Sequence, residues 1–414
     1  MKVAYIVGCF PSRTETFALR EMSALRKRGL RIFILAAARA KDEMDIAGAD
    51  GFPVTYRPAR FSLTALSSIL YLLRHYPSAP VKFLALLISV VQESPREALT
   101  LLANIHTVGS FARLLDTHSV GHVHAYFLSW PGCIGLALSR LTGRRLSLAC
   151  HARDVFVEAG AVRTKADASC FIVACNRQAH EHLAGLLTHK SDARLCLIRH
   201  GVDPSELASR RPHGTRDDLR RHEPPTIAAV GRLVPKKGYG YLLGALRLLK
   251  LEGIVCRLVV VGDGPQRREL EKLAALHGLE GSVEMAGWQD PAETIRMIRS
   301  AAVLAVPSVA GPDGDRDGIP NVILEAFAVG TPVLAARQPG IMEAVRHLET
   351  GILVDPRNEK EMAAGLRRLL RDANLRTTVR QNARTLVRGD FDLASNAAKL
   401  ATRFIAFDEC PTRA

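Results

Sequence analysis

The chain has 414 residues, 48% of them hydrophobic, too long for one comfortable core and well suited to two α/β domains. Its net charge of +15 at pH 7 favours anionic partners. The basic residues are spread without a basic arm or aromatic interleaving, which argues against nucleic acid, and eight scattered cysteines without a CxxC pair read as reduced cytoplasmic thiols rather than disulfides or a zinc site.

The first residues carry one positive charge and a short apolar run that breaks at Gly8, Pro11 and Arg13, so they read as a strand and not as a signal peptide. Residues 3–7 form that strand. Residues 15–28 have helical periodicity through Phe17, Leu19, Met22 and Leu25, Gly29 stops the helix, and 31–35 is a second strand. Residues 61–115 are apolar and helix-forming, broken near Pro77, Pro80 and Pro95. The longest uncharged apolar stretch, 61–73, is short of the roughly 20 residues that span a bilayer. With Arg60, Arg74 and Lys82 nearby, these helices suit either a cover for the sheet or an anionic membrane surface.

Strands resume at 120–124, 146–150, 170–174 and 195–198. Residues 204–225 are polar, charged and proline-punctuated, and mark a domain boundary. This division gives a first domain over 1–208, a second over 222–385, and a terminal helix over 386–414 that packs back toward the first. A second strand–helix series follows the boundary: strands at 226–230, 255–261, 283–285, 303–306, 332–335 and 351–354, helices at 239–250, 265–277, 291–299, 321–329 and 340–346. Such alternation implies parallel sheets with ligands at the carboxyl ends of their strands.

Two segments carry the chemistry. A glycine-rich loop over 311–318 leads into Asp317, Gly318, Ile319, Pro320 and Asn321, with Pro320 at a helix start, Glu325 a turn inside it and Gly330 at its end. Free N–H groups and the positive dipole end at such a helix N-terminus suit a diphosphate. Two carboxylates eight residues apart reach different hydroxyl pairs of one ligand. Upstream, Gly231-Arg232-Leu233-Val234-Pro235-Lys236-Lys237-Gly238 directly follows a strand, and Arg232 with Lys237 five residues on forms a diphosphate clamp that works without a metal.

With these residues the chain resembles the retaining glycosyltransferases of family 4. Their E-x7-E motif corresponds to Asp317 and Glu325, with Asp in place of the usual first Glu. Their G-R-L-x-x-K-K-G motif corresponds to Gly231–Gly238, their V-G-x-G-P turn to Val261-Gly262-Asp263-Gly264-Pro265, and their late G-x-L-V strand to 351–354. The opening 5–17 and the segment His151-Ala152-Arg153-Asp154-Val155-Phe156 narrow the resemblance to exopolysaccharide enzymes, including the colanic-acid type.

The resemblance implies the GT-B fold, two Rossmann-like α/β domains facing a central cleft, and a retaining, metal-independent hexosyltransferase. Such an enzyme moves a sugar from a UDP- or GDP-sugar to a hydroxyl of a glycan or lipid-linked acceptor, in exopolysaccharide or other cell-surface glycan assembly. No cofactor is implied, and the expected location is cytoplasmic, with peripheral contact at the inner membrane face. By the same resemblance Arg232 and Lys237 hold the donor diphosphate, Glu325 the ribose, and Asp317 and His151 the transferred sugar. Gly8, Gly318, Ile319, Pro320 and Asn321 line the donor site. Asp154 either orients His151 or caps the helix that follows.

His122 and His124 share one strand face. They fit a metal pair, an acceptor-side strand end at His124, or ordinary packing. No G-x-G-x-x-G or P-loop follows any strand. A sugar-nucleotide epimerase on the same fold, a silent nucleotide-sugar binder and a peripheral membrane structural protein are the rival readings.

Overall fold

A computed structural model describes residues 1–12, 15–39, 49, 51–158, 160–187, 194–209 and 224–408. The chain divides into two compact units, Met1–His200 with Ala394–Ala414, and Gly201–Leu393. Residues 201–208, read from the sequence as first-domain, therefore belong to the second unit. Most of the boundary segment, 210–223, lies outside the described residues, as do Arg13 and Cys410.

The first unit is built on a seven-stranded sheet: β1 (Lys2–Cys9), β2 (Arg31–Ala38), β3 (Val54–Tyr56), β4 (His122–Ala125), β5 (Arg145–Cys150), β6 (Phe171–Ala174) and β7 (Leu195–Leu197). Their spatial order is β3-β2-β1-β4-β5-β6-β7, and every pair is parallel. Parallel strands need crossovers that cover both faces, so the central strands are largely apolar. Val3 to Val7 of β1 are accordingly all buried. The winding reverses between β1 and β4, the position at which open α/β sheets bind ligands.

The apolar 61–115 segment resolves into helices Leu63–His75, Ala79–Glu93, Pro95–Ala103 and Ile105–Thr117. Ser62 Oγ caps the first by accepting from Ala65 N at 3.1 Å. Ser94 Oγ accepts from Glu97 N, and Pro95 occupies the first turn of the third. One stripe of these helices, Leu72, Leu86, Val90, Ala98 and Leu101, enters the core of the first unit. The opposite stripe stays exposed. Among the described residues no single helix is long and apolar enough to cross a membrane, and the pair Pro95–Ala103 and Ile105–Thr117 passes that test only together, across a 60° bend.

Helix Leu393–Asp408 closes the other side of the first sheet, with Ala397, Leu400, Ala401 and Phe404 packed among Val3, Tyr5 and Phe171. Residues 386–390, read as part of this helix, end a separate one, Ala373–Asp390, in the second unit.

The second unit has β8 (Thr226–Val230), β9 (Arg257–Val261), β10 (Val283–Gly287), β11 (Val303–Val306), β12 (Val333–Ala336) and β13 (Ile352–Val354), ordered β10-β9-β8-β11-β12-β13 and parallel throughout. Its winding reverses between β8 and β11.

Candidate active site

The two sequence segments meet at that reversal. Residues 231–238 leave the carboxyl end of β8, and Pro307-Ser308 leave β11 beside it. Gly238 makes this approach feasible: it adopts φ +67°, and a Cβ there would lie 2.0 Å from the carbonyl oxygen of Pro307. Val309 N donates to Lys236 O at 2.8 Å and fastens the two loops along their backbones. Further on, Gly340 lets helix Pro339–Met342 press onto the loop, since a Cβ there would meet the Gly318 backbone at 2.6 Å.

Within this frame the side chains form a charge cluster. Lys237 Nζ donates to Asp317 Oδ2 at 2.7 Å, and Ser308 Oγ donates to the same oxygen at 2.7 Å. Lys236 Nζ lies 3.0 Å from Asp315 and 3.5 Å from Asp317 Oδ1. Burial works against a charge on Asp317. The ammonium groups of Lys237 and Lys236, with the hydrogen bonds from Lys237 and Ser308, outweigh it and hold the carboxyl below its ordinary range. Asp317 is therefore an anion paired with Lys237.

Helix Asn321–Val329 begins just beyond, with Pro320 at its N-cap and no side chain capping its first amides. Those N–H groups carry the positive end of the helix dipole. Glu325 is buried one turn in, and Gly330 ends the helix in the left-handed region. Gly318, Ile319 and Asn321 are partly buried at the loop-to-helix junction, and Arg232 is exposed at the end of β8.

The structure thus brings Lys237 together with Asp317 and adds Lys236, Asp315 and Ser308, which sequence reasoning missed. The run Asp313-Gly314-Asp315-Arg316-Asp317 opposite a Lys-Lys dipeptide was the available signal. Tyr239 was missed as well. Its hydroxyl is buried without a hydrogen-bond partner, and burial, with the Asp317 charge second, pushes its pKa up.

In the first unit His151 follows β5, is buried, and stacks at 5.0 Å on the His200 ring. Asp154 takes the cap role: Oδ1 accepts from His151 N at 2.6 Å and Oδ2 from Leu128 N at 2.5 Å. Burial lifts its pKa to about 7 against those two bonds. Gly8 sits near the end of β1 with open space where a Cβ would be.

His124 is enclosed, and this corrects its reading as an acceptor-side residue. Its Nδ1 meets Ser147 Oγ at 2.8 Å, His122 Nε2 meets the same hydroxyl at 2.7 Å, and Phe404 lies edge-on to both rings. Both rings are fully buried, which holds the pKa of His122 down to about 3 and keeps His124 well below the usual histidine range. These two neutral rings are packing residues.

Residues 215–386, which include this whole cluster, match the family of glycosyl transferases group 1. The second unit is a group 1 glycosyltransferase domain. Two relatives share its character. The provisionally named colanic acid biosynthesis glycosyltransferase WcaL of Salmonella typhimurium is 36% identical over 50% of this chain and 50% of its own. The amylovoran biosynthesis glycosyltransferase AmsK of Erwinia amylovora is 33% identical over 45% and 46%. The match thus spans about half the length of these curated relatives.

The fold of the whole chain is that of Anabaena HepE, solved in complex with UDP, with a TM-score of 0.71 and 18% identity over 98% of this chain and 100% of that one. A crystal structure of the same protein holds UDP-glucose. Each unit is thus a parallel-sheet Rossmann-like domain, the fold class of the GT-B glycosyltransferases. The family match does not favour the epimerase or the silent binder.

Proposed function

We propose that the chain is a retaining, metal-independent hexosyltransferase that moves a sugar from a UDP- or GDP-sugar to a hydroxyl of a glycan or lipid-linked acceptor in exopolysaccharide assembly. The observation that carries this reading is the cluster at the β8–β11 reversal: two lysines, an anionic Asp317 and an uncapped helix N-terminus on one strand-end loop pair.

The chemistry follows from charge. A donor diphosphate brings more negative charge than one carboxylate, so it draws Lys237 away from Asp317 and toward its oxygens. Arg232 and the first amides of helix Asn321–Val329 complete the clamp. Asp317, released, accepts hydrogen bonds from sugar hydroxyls, while Glu325 takes the ribose diol and His151 contacts the sugar. Gly8, Gly318, Ile319 and Pro320 let the backbone approach the donor. The acceptor oxygen then bonds to the anomeric carbon on the face from which the diphosphate oxygen departs, and the acceptor proton passes to that leaving phosphate. Catalysis rests on positioning and on stabilising the departing charge, with no metal required.

We propose further that the first unit docks on an anionic bilayer, peripherally on the inner face. Leu63, Leu66, Leu70 and Leu73 on one helix and Val81, Leu84, Ile88 and Val91 on the next are exposed at helical spacing, next to Phe61, which is wholly exposed. Arg57, Arg60, Arg74, Lys82 and Arg96 flank them. Of the acids in the same stretch, Glu97 is buried against Lys165, and Glu93, though exposed, accepts from Thr164 N.

The reading is tested by following thermal stabilisation and donor hydrolysis with a panel of UDP-, GDP- and ADP-sugars in excess EDTA. One nucleotide class should stabilise the protein and turn over. No response to any nucleotide sugar would sink the proposal.

A further inference from the structure

The parallel order β5-β6-β7 releases three potential metal ligands side by side: His151 directly after β5, Cys175 directly after β6, and His200 shortly after β7. One ligand atom from each lies within 4.8 Å of the others. The Nε2 atoms of His151 and His200 are buried without a hydrogen-bond partner. A buried polar atom without a partner is unfavourable, so these nitrogens point to a ligand.

The surroundings fit a metal. His200 Nδ1 faces Glu21 Oε2 at 3.9 Å, so a carboxylate stands behind the ring on the side away from the free nitrogen. The Tyr5 hydroxyl donates to Glu21 at 3.1 Å and fixes that carboxylate. Phe17 and Phe127 wall the His151 ring at 5.3 and 4.6 Å. Two imidazoles and one thiolate form a borderline-soft donor set with three ligands and one open position, which matches zinc and excludes magnesium or calcium. The linear sequence hid it, because its ligands come from three different strand ends.

We propose that His151, Cys175 and His200 form a zinc site, and that zinc there opposes glycosyl transfer. Binding forms one zinc–sulfur and two zinc–nitrogen bonds, and the thiol proton leaves to solvent. The inhibitory part rests on the role proposed above for His151, whose lone pair cannot serve a metal and a sugar hydroxyl together. The metal site itself does not depend on that role.

The test titrates the full chain, stripped with EDTA, with cobalt(II) as a coloured probe. One equivalent should bind with tetrahedral visible bands and a thiolate-to-cobalt charge-transfer band, both displaced by zinc. Cys175→Ser should lose the charge-transfer band, and Glu21→Gln should weaken cobalt binding roughly tenfold. In a transfer assay zinc should inhibit the wild type, while Cys175→Ser keeps the zinc-free rate and resists zinc. No stoichiometric uptake, or a charge-transfer band that survives Cys175→Ser, overturns the site. Stoichiometric binding with transfer indifferent to zinc overturns the inhibition and with it the sugar contact of His151, while the donor clamp is judged separately by nucleotide binding.

Discussion

Lys237 lies on one loop and Asp317 eighty residues later on another, and their 2.7 Å pair is the point at which the donor chemistry was hardest to see in the sequence. The motifs marked both residues, yet assigned one to phosphate and the other to sugar, because spacing carries no information about a contact across two strand ends. If the pair opens on donor binding, Asp317→Asn should lower turnover about 100-fold or more, the scale of losing a positioned polar group at the reacting centre. The same variant frees Lys237, so affinity for nucleoside diphosphate by calorimetry should hold or rise. Wild-type turnover would remove Asp317 from the sugar site. Glu21 provides a second residue-scale test. Burial raises its carboxyl from 4.5 to about 7 against the hydrogen bond from Tyr5. The folded chain thus holds this proton more tightly than the unfolded one, and stability falls as pH rises from about 4.5 through about 7 and then levels. Glu21→Gln should reduce the loss of urea stability between pH 5 and 8 by up to about 3 kcal/mol. An unchanged pH dependence would mean that Glu21 ionises normally.

Helices and strands were legible where their periodicity had one meaning. The strands of both sheets read as continuous apolar runs because each is covered on both faces, and the helix from Asn321 to Val329 was bracketed by Pro320 and Gly330. The helices between 61 and 103 were harder, since both of their faces are apolar and periodicity alone cannot say which face meets the core. Leu72, Leu86 and Val90 do so, while Leu66, Leu70, Leu84 and Ile88 do not. Flotation with anionic vesicles should therefore be lost in a Leu66→Glu, Leu84→Glu variant, and reversed by salt in the wild type, with the melting temperature unchanged. Flotation indifferent to lipid charge would contradict the proposed docking. At the loop pair, Gly238→Ala forces a side chain into the left-handed region and against Pro307 O. It should cost more than ~1 kcal/mol by urea denaturation and weaken nucleotide binding, because Lys237 is the residue before it. Wild-type behaviour would show that the two loops separate freely.

At the scale of the molecule, each sheet reverses its winding beside a central strand, β1 in the first unit and β8 in the second. The parallel sheets followed from strand–helix alternation, which the sequence displays plainly, whereas the strand order did not. The return of the terminal helix to the first sheet matches the expectation, but its start at Leu393 does not, since residues 373–390 form a separate helix of the second unit. The group 1 match covers the second unit, where the charge cluster lies, and the first unit carries the fold without the same depth of sequence likeness. The proposed reaction is most directly tested by proton NMR of the first-formed product, with the preferred donor, in excess EDTA. The anomeric coupling constant should show the donor's configuration retained, in product formed at an undiminished rate. An inverted product, or none until manganese is added, would contradict the account.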